Sequence, residues 1–125
     1  MTYRDIYLPD GLTEQVKDYI TSVIDWLAKE SKLESTDGMA IYTLAESYNT
    51  YLLAQETVKD QGLTIPGAHG GVTTNPAVKI ARDAKLDAIA IARDFGLTLA
   101  SRGRIKETAK AVEPSPLQML INQSN

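Results

Sequence analysis

The chain has no cysteine among its 125 residues. That excludes disulfides, a thiolate nucleophile and every zinc motif built on cysteine, and it suits a reducing compartment. Histidine occurs once, at His69, inside a glycine-rich stretch with no second ligand nearby. It reads as a solvated loop residue rather than a metal or catalytic group. No apolar run approaches the ~18 residues of a membrane helix, and the opening Met1-Thr2-Tyr3-Arg4-Asp5 carries no secretory apolar region. The expectation is a soluble, intracellular protein with no membrane partner. Also missing are a Gly-Lys-Ser/Thr phosphate loop, a metal-binding cluster, a nucleophile–base pair and a convincing carboxylate site. No catalytic residue, metal site or cofactor is assigned.

What the chain does have is ordinary globular composition, 43% hydrophobic and 23% charged residues, which suits one domain with a modest core. The formal net charge of −3 hides an asymmetry. Up to Thr74 there are 5 Lys/Arg against 11 Asp/Glu, and from Asn75 onward 8 against 5. A basic C-terminal half on an acidic protein can serve nucleic acid, or an acidic neighbour in an oligomer.

The strongest local signal runs from Asn75 to Thr98. Asn75 is a helix cap, because its side-chain carbonyl can accept an orphan N–H of the first turn. Pro76 suits the first helical position, where its fixed φ is already helical and no intrahelical bond is lost. Gly96 supplies the residue past the last turn, where positive φ costs no Cβ clash. At ~100° per residue, Ala77, Ile80, Ala81, Ala84, Ala88, Ile91 and Phe95 fall on one stripe. The charges lie off it, sorted by sign: Lys79, Arg82, Lys85 and Arg93 on one flank, Asp83, Asp87 and Asp94 on the other. Leu86 and Ile89 sit among the basic residues. Two readings stay open, an amphipathic core helix with a solvated charged face, and a helix serving two contacts at once.

Elsewhere the same punctuation yields a mainly all-α fold of three long helices, a short basic C-terminal helix and a β-hairpin insert at about 63–74. Residues 1–10 read as an extended arm. Thr13 caps a first helix to Lys29, with Val16, Tyr19 or Ile20, Val23 and Leu27 inward. A second helix runs from about Asp37 to Gln61 and ends at Gly62, with Ile41, Leu44, Ala45, Tyr48, Tyr51, Leu52, Gln55 and Val58 as its stripe. The fourth helix spans about Leu99 to Val112, weakened by Gly103. Glu113-Pro114-Ser115-Pro116 then forms a stiff linker to an apolar tail. Residues 1–112 are read as the helical domain and 113–125 as linker and tail.

Gly62, Asn75-Pro76, Gly96-Leu97-Thr98 and Ser101-Arg102 occur in an order and spacing that resembles the phage terminase small subunits, over roughly Leu12 to Ile105. Leu99 stands where family members often carry proline. The resemblance implies a non-enzymatic DNA-packaging component in the host cytoplasm. It implies homo-oligomers, often rings, that recognise viral double-stranded DNA and present it to a large subunit carrying the ATPase and nuclease. The alternative from another class is a helical adaptor that binds only protein; a third is a small hydrolase whose site forms between subunits.

Candidate residues follow from charge and exposure. Arg102, Arg104, Lys106 and Lys110 are the first DNA-contacting set, working chiefly through phosphates, with Lys79, Arg82 and Arg93 second. Lys85, Leu86 and Ile89 beside Asp83, Asp87 and Asp94 form a candidate oligomer interface, since unlike flanks can pair head to tail and close into a ring. Leu117, Leu120 and Ile121 are either a handle for the large subunit or part of the chain's own core.

Overall fold

The computed structural model describes residues 1–30 and 32–97. Within them the fold is mainly helical, with two small β-hairpins. The elements are β1 (Thr2–Tyr3), β2 (Ile6–Tyr7), α1 (Glu14–Lys29), a 3-10 turn (Ser35–Asp37), α2 (Gly38–Gln61), β3 (Thr64–Pro66), β4 (Val72–Thr74) and α3 (Pro76–Asp94). Residues Met1–Ile91 group into one compact unit and Ala92–Asn125 into a second. The basic helix expected at 99–112 and the tail at 113–125 lie outside the described residues.

The helix ends marked by Thr13, Gly62 and Gly96 carry the chemistry their sequence promises, whereas Asp37 makes no side-chain cap bond at the start of α2. The Thr13 hydroxyl accepts from the Val16 N–H at 3.3 Å and opens α1. Gly62 closes α2 at φ 92°, donating its N–H to the Val58 carbonyl at 2.7 Å. At the end of α3, Gly96 at φ 72° donates to Arg93 at 3.0 Å and Leu97 donates to Ala92 at 2.9 Å. That pair of bonds is the Schellman arrangement, which satisfies carbonyls the last turn would leave bare.

The core sits between α1, the first half of α2 and the N-terminal segment. Val16, Ile20, Val23, Ile24 and Leu27 of α1 are buried with Ile41, Leu44 and Ala45 of α2, and Leu8 fills the same interior. Each large side chain hidden there contributes about 1.5–3 kcal/mol. Tyr19 meets Tyr48 edge to face with ring centres 5.1 Å apart. Trp26 is half-buried at the margin, under the Lys32 ammonium 5.2 Å from its ring centre.

Residues 1–10 fold back on themselves as a hairpin. Tyr3 pairs with Ile6 and Thr2 with Tyr7 across a two-residue turn, Arg4-Asp5. Both turn residues have positive φ, 48° and 67°, as the tightest right-twisting hairpins require. The hairpin is tied down by Asp25 of α1, which accepts from the Tyr3 hydroxyl at 2.8 Å and from Arg4 Nε at 2.7 Å.

Helix α2 outruns its partner. Asn49 Oδ1 accepts the Thr13 N–H at 2.9 Å, and Gln15 donates to the Tyr48 hydroxyl, so α1 begins level with residues 48–49 and runs back along the first half. At ~1.5 Å per residue, the last twelve residues of α2 extend about 18 Å past that point. The buried face changes accordingly. Ile41, Leu44, Ala45 and Tyr48 centre on one direction, whereas Ser47, Tyr51, Ala54 and Val58 centre roughly 100° further round. Gln55, expected inward, continues the direction of the first stripe but lies beyond the point that α1 reaches, and it is exposed.

Candidate functional site

The third helix carries the residues of interest, and Asn75 sets where it starts. The Asn75 side chain accepts the Ala77 N–H at 3.0 Å while its amide donates to the Gly62 carbonyl at 3.0 Å and to Gln61 Oε1 at 3.2 Å. Its own N–H bonds to the Leu63 carbonyl at 2.8 Å. With 2% exposure it is the one buried polar residue among those described, and the bonds donated by its side-chain amide and its own N–H reach back to the end of α2. The β3–β4 hairpin therefore loops out from a fixed base, closed by the Gly67 N–H on the Gly71 carbonyl at 2.7 Å. His69 is exposed at its tip.

Along α3, Ala77 and Ala84 are buried and Ala81, Ala88, Ile91 and Phe95 half-buried, members of the stripe the sequence marks out, and Ala92, outside that stripe, is buried as well. Ile80 at its edge is about half exposed. Directly opposite that stripe lies Leu86, 54% exposed, with exposed Ile89 beside it. Arg82, Lys85 and Arg93 surround them, all exposed. Asp87 and Asp94 are exposed on the other flank. The two flanks are joined within the helix itself, since Lys79 Nζ reaches Asp83 Oδ2 at 2.9 Å, one turn on. Such an exposed pair is worth about 0.3–0.5 kcal/mol, enough to occupy both groups locally. Arg102, Arg104, Lys106, Lys110, Leu117, Leu120 and Ile121 lie outside the described residues.

Two features escape a reading by apolar stripes. On the solvent side of α2, Leu53 is 52% exposed among Asn49, Thr50 and Thr57, and the charges on its face are all acidic: Glu56 one turn after it, and Glu46 and Asp60 two turns to either side, all three exposed. The nearest base, Lys59, points roughly 100° away from Asp60 round the helix. That spacing was present in the sequence, but a search for inward-facing residues passes over it. The second feature is a concavity of about 460 Å³ beside the N-terminal hairpin, lined by Arg4, Tyr7, Leu33, Met39 and Tyr42 among others. Tyr7 stacks on Tyr42 there, centres 5.8 Å apart and planes within 7°.

Two groups titrate away from their ordinary values. The hydrogen bond to Tyr3 and then the one to Asp25 hold the Arg4 guanidinium pKa up. Burial, and then the neighbouring Tyr48, pushes the Tyr19 phenol up. Neither is arranged for proton transfer, because each serves a packing contact. Among the described residues no cluster of three or more His, Asp or Glu side chains could hold a metal ion, and no helix is long and apolar enough to cross a membrane.

The chemistry available is thus that of surfaces: a basic-apolar face on α3, an acidic-apolar face on α2 and a rigid joint between them. A family model described as the small subunit of phage terminase matches residues 17–111. None of the curated proteins or solved structures compared with the chain matches it.

Proposed function

The chain belongs to the phage terminase small subunit family, and from that premise we propose that it is a non-catalytic, oligomeric DNA-packaging protein. It binds viral double-stranded DNA and presents it to the large subunit, which supplies the ATPase and nuclease, in the host cytoplasm. The family match over three-quarters of the chain carries this reading. The separation of charge along the chain supports it, since the surplus of bases after Asn75 offers phosphates a local attraction that the net charge of −3 does not.

In this reading residues 1–112 form the oligomerising and DNA-recognising domain. Arg102, Arg104, Lys106 and Lys110 make the principal phosphate contacts, with Lys79, Arg82 and Arg93 as a second set. Subunits associate head to tail in a ring through the outward face of α3, which carries Lys85, Leu86 and Ile89 on one flank and Asp83, Asp87 and Asp94 on the other. Apolar contact supplies most of the affinity and charge sets the register, because exposed ion pairs contribute only ~0–1 kcal/mol each. The segment 113–125 carries Leu117, Leu120 and Ile121 as the handle for the large subunit.

Salt titration of duplex binding tests the reading. Counterion release makes log K fall linearly with log salt, by ~0.9 per phosphate neutralised. Replacing Arg102, Arg104, Lys106 and Lys110 with alanine should weaken binding to every sequence and flatten the slope by up to ~3.6. Absence of salt-dependent binding by the unaltered oligomer would favour a protein-only adaptor instead.

A further inference from the structure

We propose that the acid-rimmed Leu53 face of α2 in one copy receives the base-rimmed Leu86–Ile89 face of α3 in the next. The proposal rests on the oligomeric reading above and assigns the two surfaces that meet. Leu53 and Leu86 are each more than half exposed, at 52% and 54%; the charged side chains nearest Leu53 are acidic, whereas Leu86 and Ile89 lie on the basic flank of α3, with Asp83 one turn before Leu86 on its other side. Around Leu53 the exposed charges are Glu46, Glu56 and Asp60; around Leu86 and Ile89 they include Arg82 and Lys85. An exposed leucine flanked by charges of one sign is costly in water and repels a second face of its own kind. It gains by meeting an apolar face of opposite charge, where burial supplies affinity and the charges set orientation.

The fold leaves both faces available within the same compact unit. Leu53, Glu56 and Asp60 stand on the half of α2 that extends past α1, which is registered no further than Asn49. On α3 the face opposes the alanine stripe, so the helix can pack inward and outward at once. Pairing α3 with a neighbour's α3 through its own unlike flanks is less well supplied. Asp83 is already held by Lys79, leaving Asp87 and Asp94 as the free acids on the described part of that flank. A second copy is favoured over DNA as the occupant of the α3 face, which takes Arg82 out of the second set of phosphate contacts. Phosphate contacts gain nothing from Leu86 and Ile89 at the centre of that face, and DNA offers no acid-ringed apolar counterpart.

Because two different surfaces meet, complementary defects should rescue each other. Glu56→Arg with Asp60→Arg disables the α2 face and leaves α3 intact; Arg82→Glu with Lys85→Glu does the reverse. All four positions are exposed, so far-UV circular dichroism should match the unaltered chain. Native mass spectrometry should find the unaltered chain oligomeric and each double variant dissociated at the same concentration, its association weakened roughly tenfold or more. Mixed one to one, the two variants should form mixed particles in which they alternate, visible as species with equal numbers of each. An unaltered oligomer whose mass neither variant changes would overturn the interface alone. Loss of DNA binding by the Arg82→Glu, Lys85→Glu chain at unchanged mass would assign the α3 face to nucleic acid and also overturn it. A monomeric unaltered chain would overturn the oligomeric reading itself.

Discussion

The Asn75 side-chain amide donates to the Gly62 carbonyl at 3.0 Å, joining the residue that ends α2 to the residue that begins α3 across thirteen positions of sequence. One side chain thereby caps one helix and ties it to the terminus of another. That joint sets where α3 starts relative to the end of α2.

Asn75→Ala removes the cap on Ala77 and leaves the Gly62 carbonyl short of a buried donor. The expected loss is about 2–4 kcal/mol, from a cap worth ~1 and an unpaired buried group worth ~1–3. Asn75→Ser keeps a capping oxygen for the first turn and is too short to donate to Gly62. Urea denaturation should therefore order the three proteins as unaltered, Ser, then Ala, and equal midpoints for Ser and Ala would show that the cap contributes nothing.

The Arg4-Asp5 turn should be improvable. Asp5 holds φ at 67°, a region where a side chain is disfavoured and glycine is not. Arg4 is engaged with Asp25, whereas Asp5 has no ion-pair partner among the described residues. Asp5→Gly should raise stability by about 0.5–1 kcal/mol, read as a higher melting temperature. A lower one would mean that the Asp5 side chain serves a contact of its own.

Tyr19 gives the fold an alkaline sensitivity. Its pKa is raised in the folded state, chiefly by burial. A raised pKa means the stabilising contribution is complete below the unfolded value of ~10 and is lost as pH climbs through the folded value. Tyr19→Phe retains the edge-to-face contact with Tyr48 and removes the titrating hydroxyl. Stability of the variant should fall less steeply above pH 10, with the two profiles parallel at neutral pH; identical slopes above pH 10 would contradict the assignment.

Truncation after Glu113 addresses the tail. If Leu117, Leu120 and Ile121 are a handle, the shortened chain should keep its melting temperature and native mass while losing its effect on the large subunit's ATPase. A fall of many degrees in melting temperature would place those residues in the chain's own core instead.

The elements that the sequence made legible are those whose ends are set locally. Thr13, Gly62, Asn75-Pro76 and Gly96 each act through a hydrogen bond or a φ value within a few residues, so their roles can be read without knowing the rest of the fold. The alanine stripe of α3 was equally visible. What could not be read depended on partners. A period count draws the stripe of α2 as continuous because it assumes one neighbour along the whole helix, yet α1 reaches no further along α2 than Asn49 and the buried face shifts beyond it. The N-terminal hairpin was missed because Arg4-Asp5 is neither Asn-Gly nor Asp-Gly, the pairs that signal so tight a turn. It forms because Asp25, twenty residues on, gathers both Tyr3 and Arg4.

Native mass spectrometry of the unaltered chain mixed with duplex DNA, at fixed moderate salt, tests the central claim most directly. The account predicts a particle of several copies of the chain carrying duplex, with no monomer–DNA species dominating. A monomer that leaves the duplex unbound across the same conditions would contradict it.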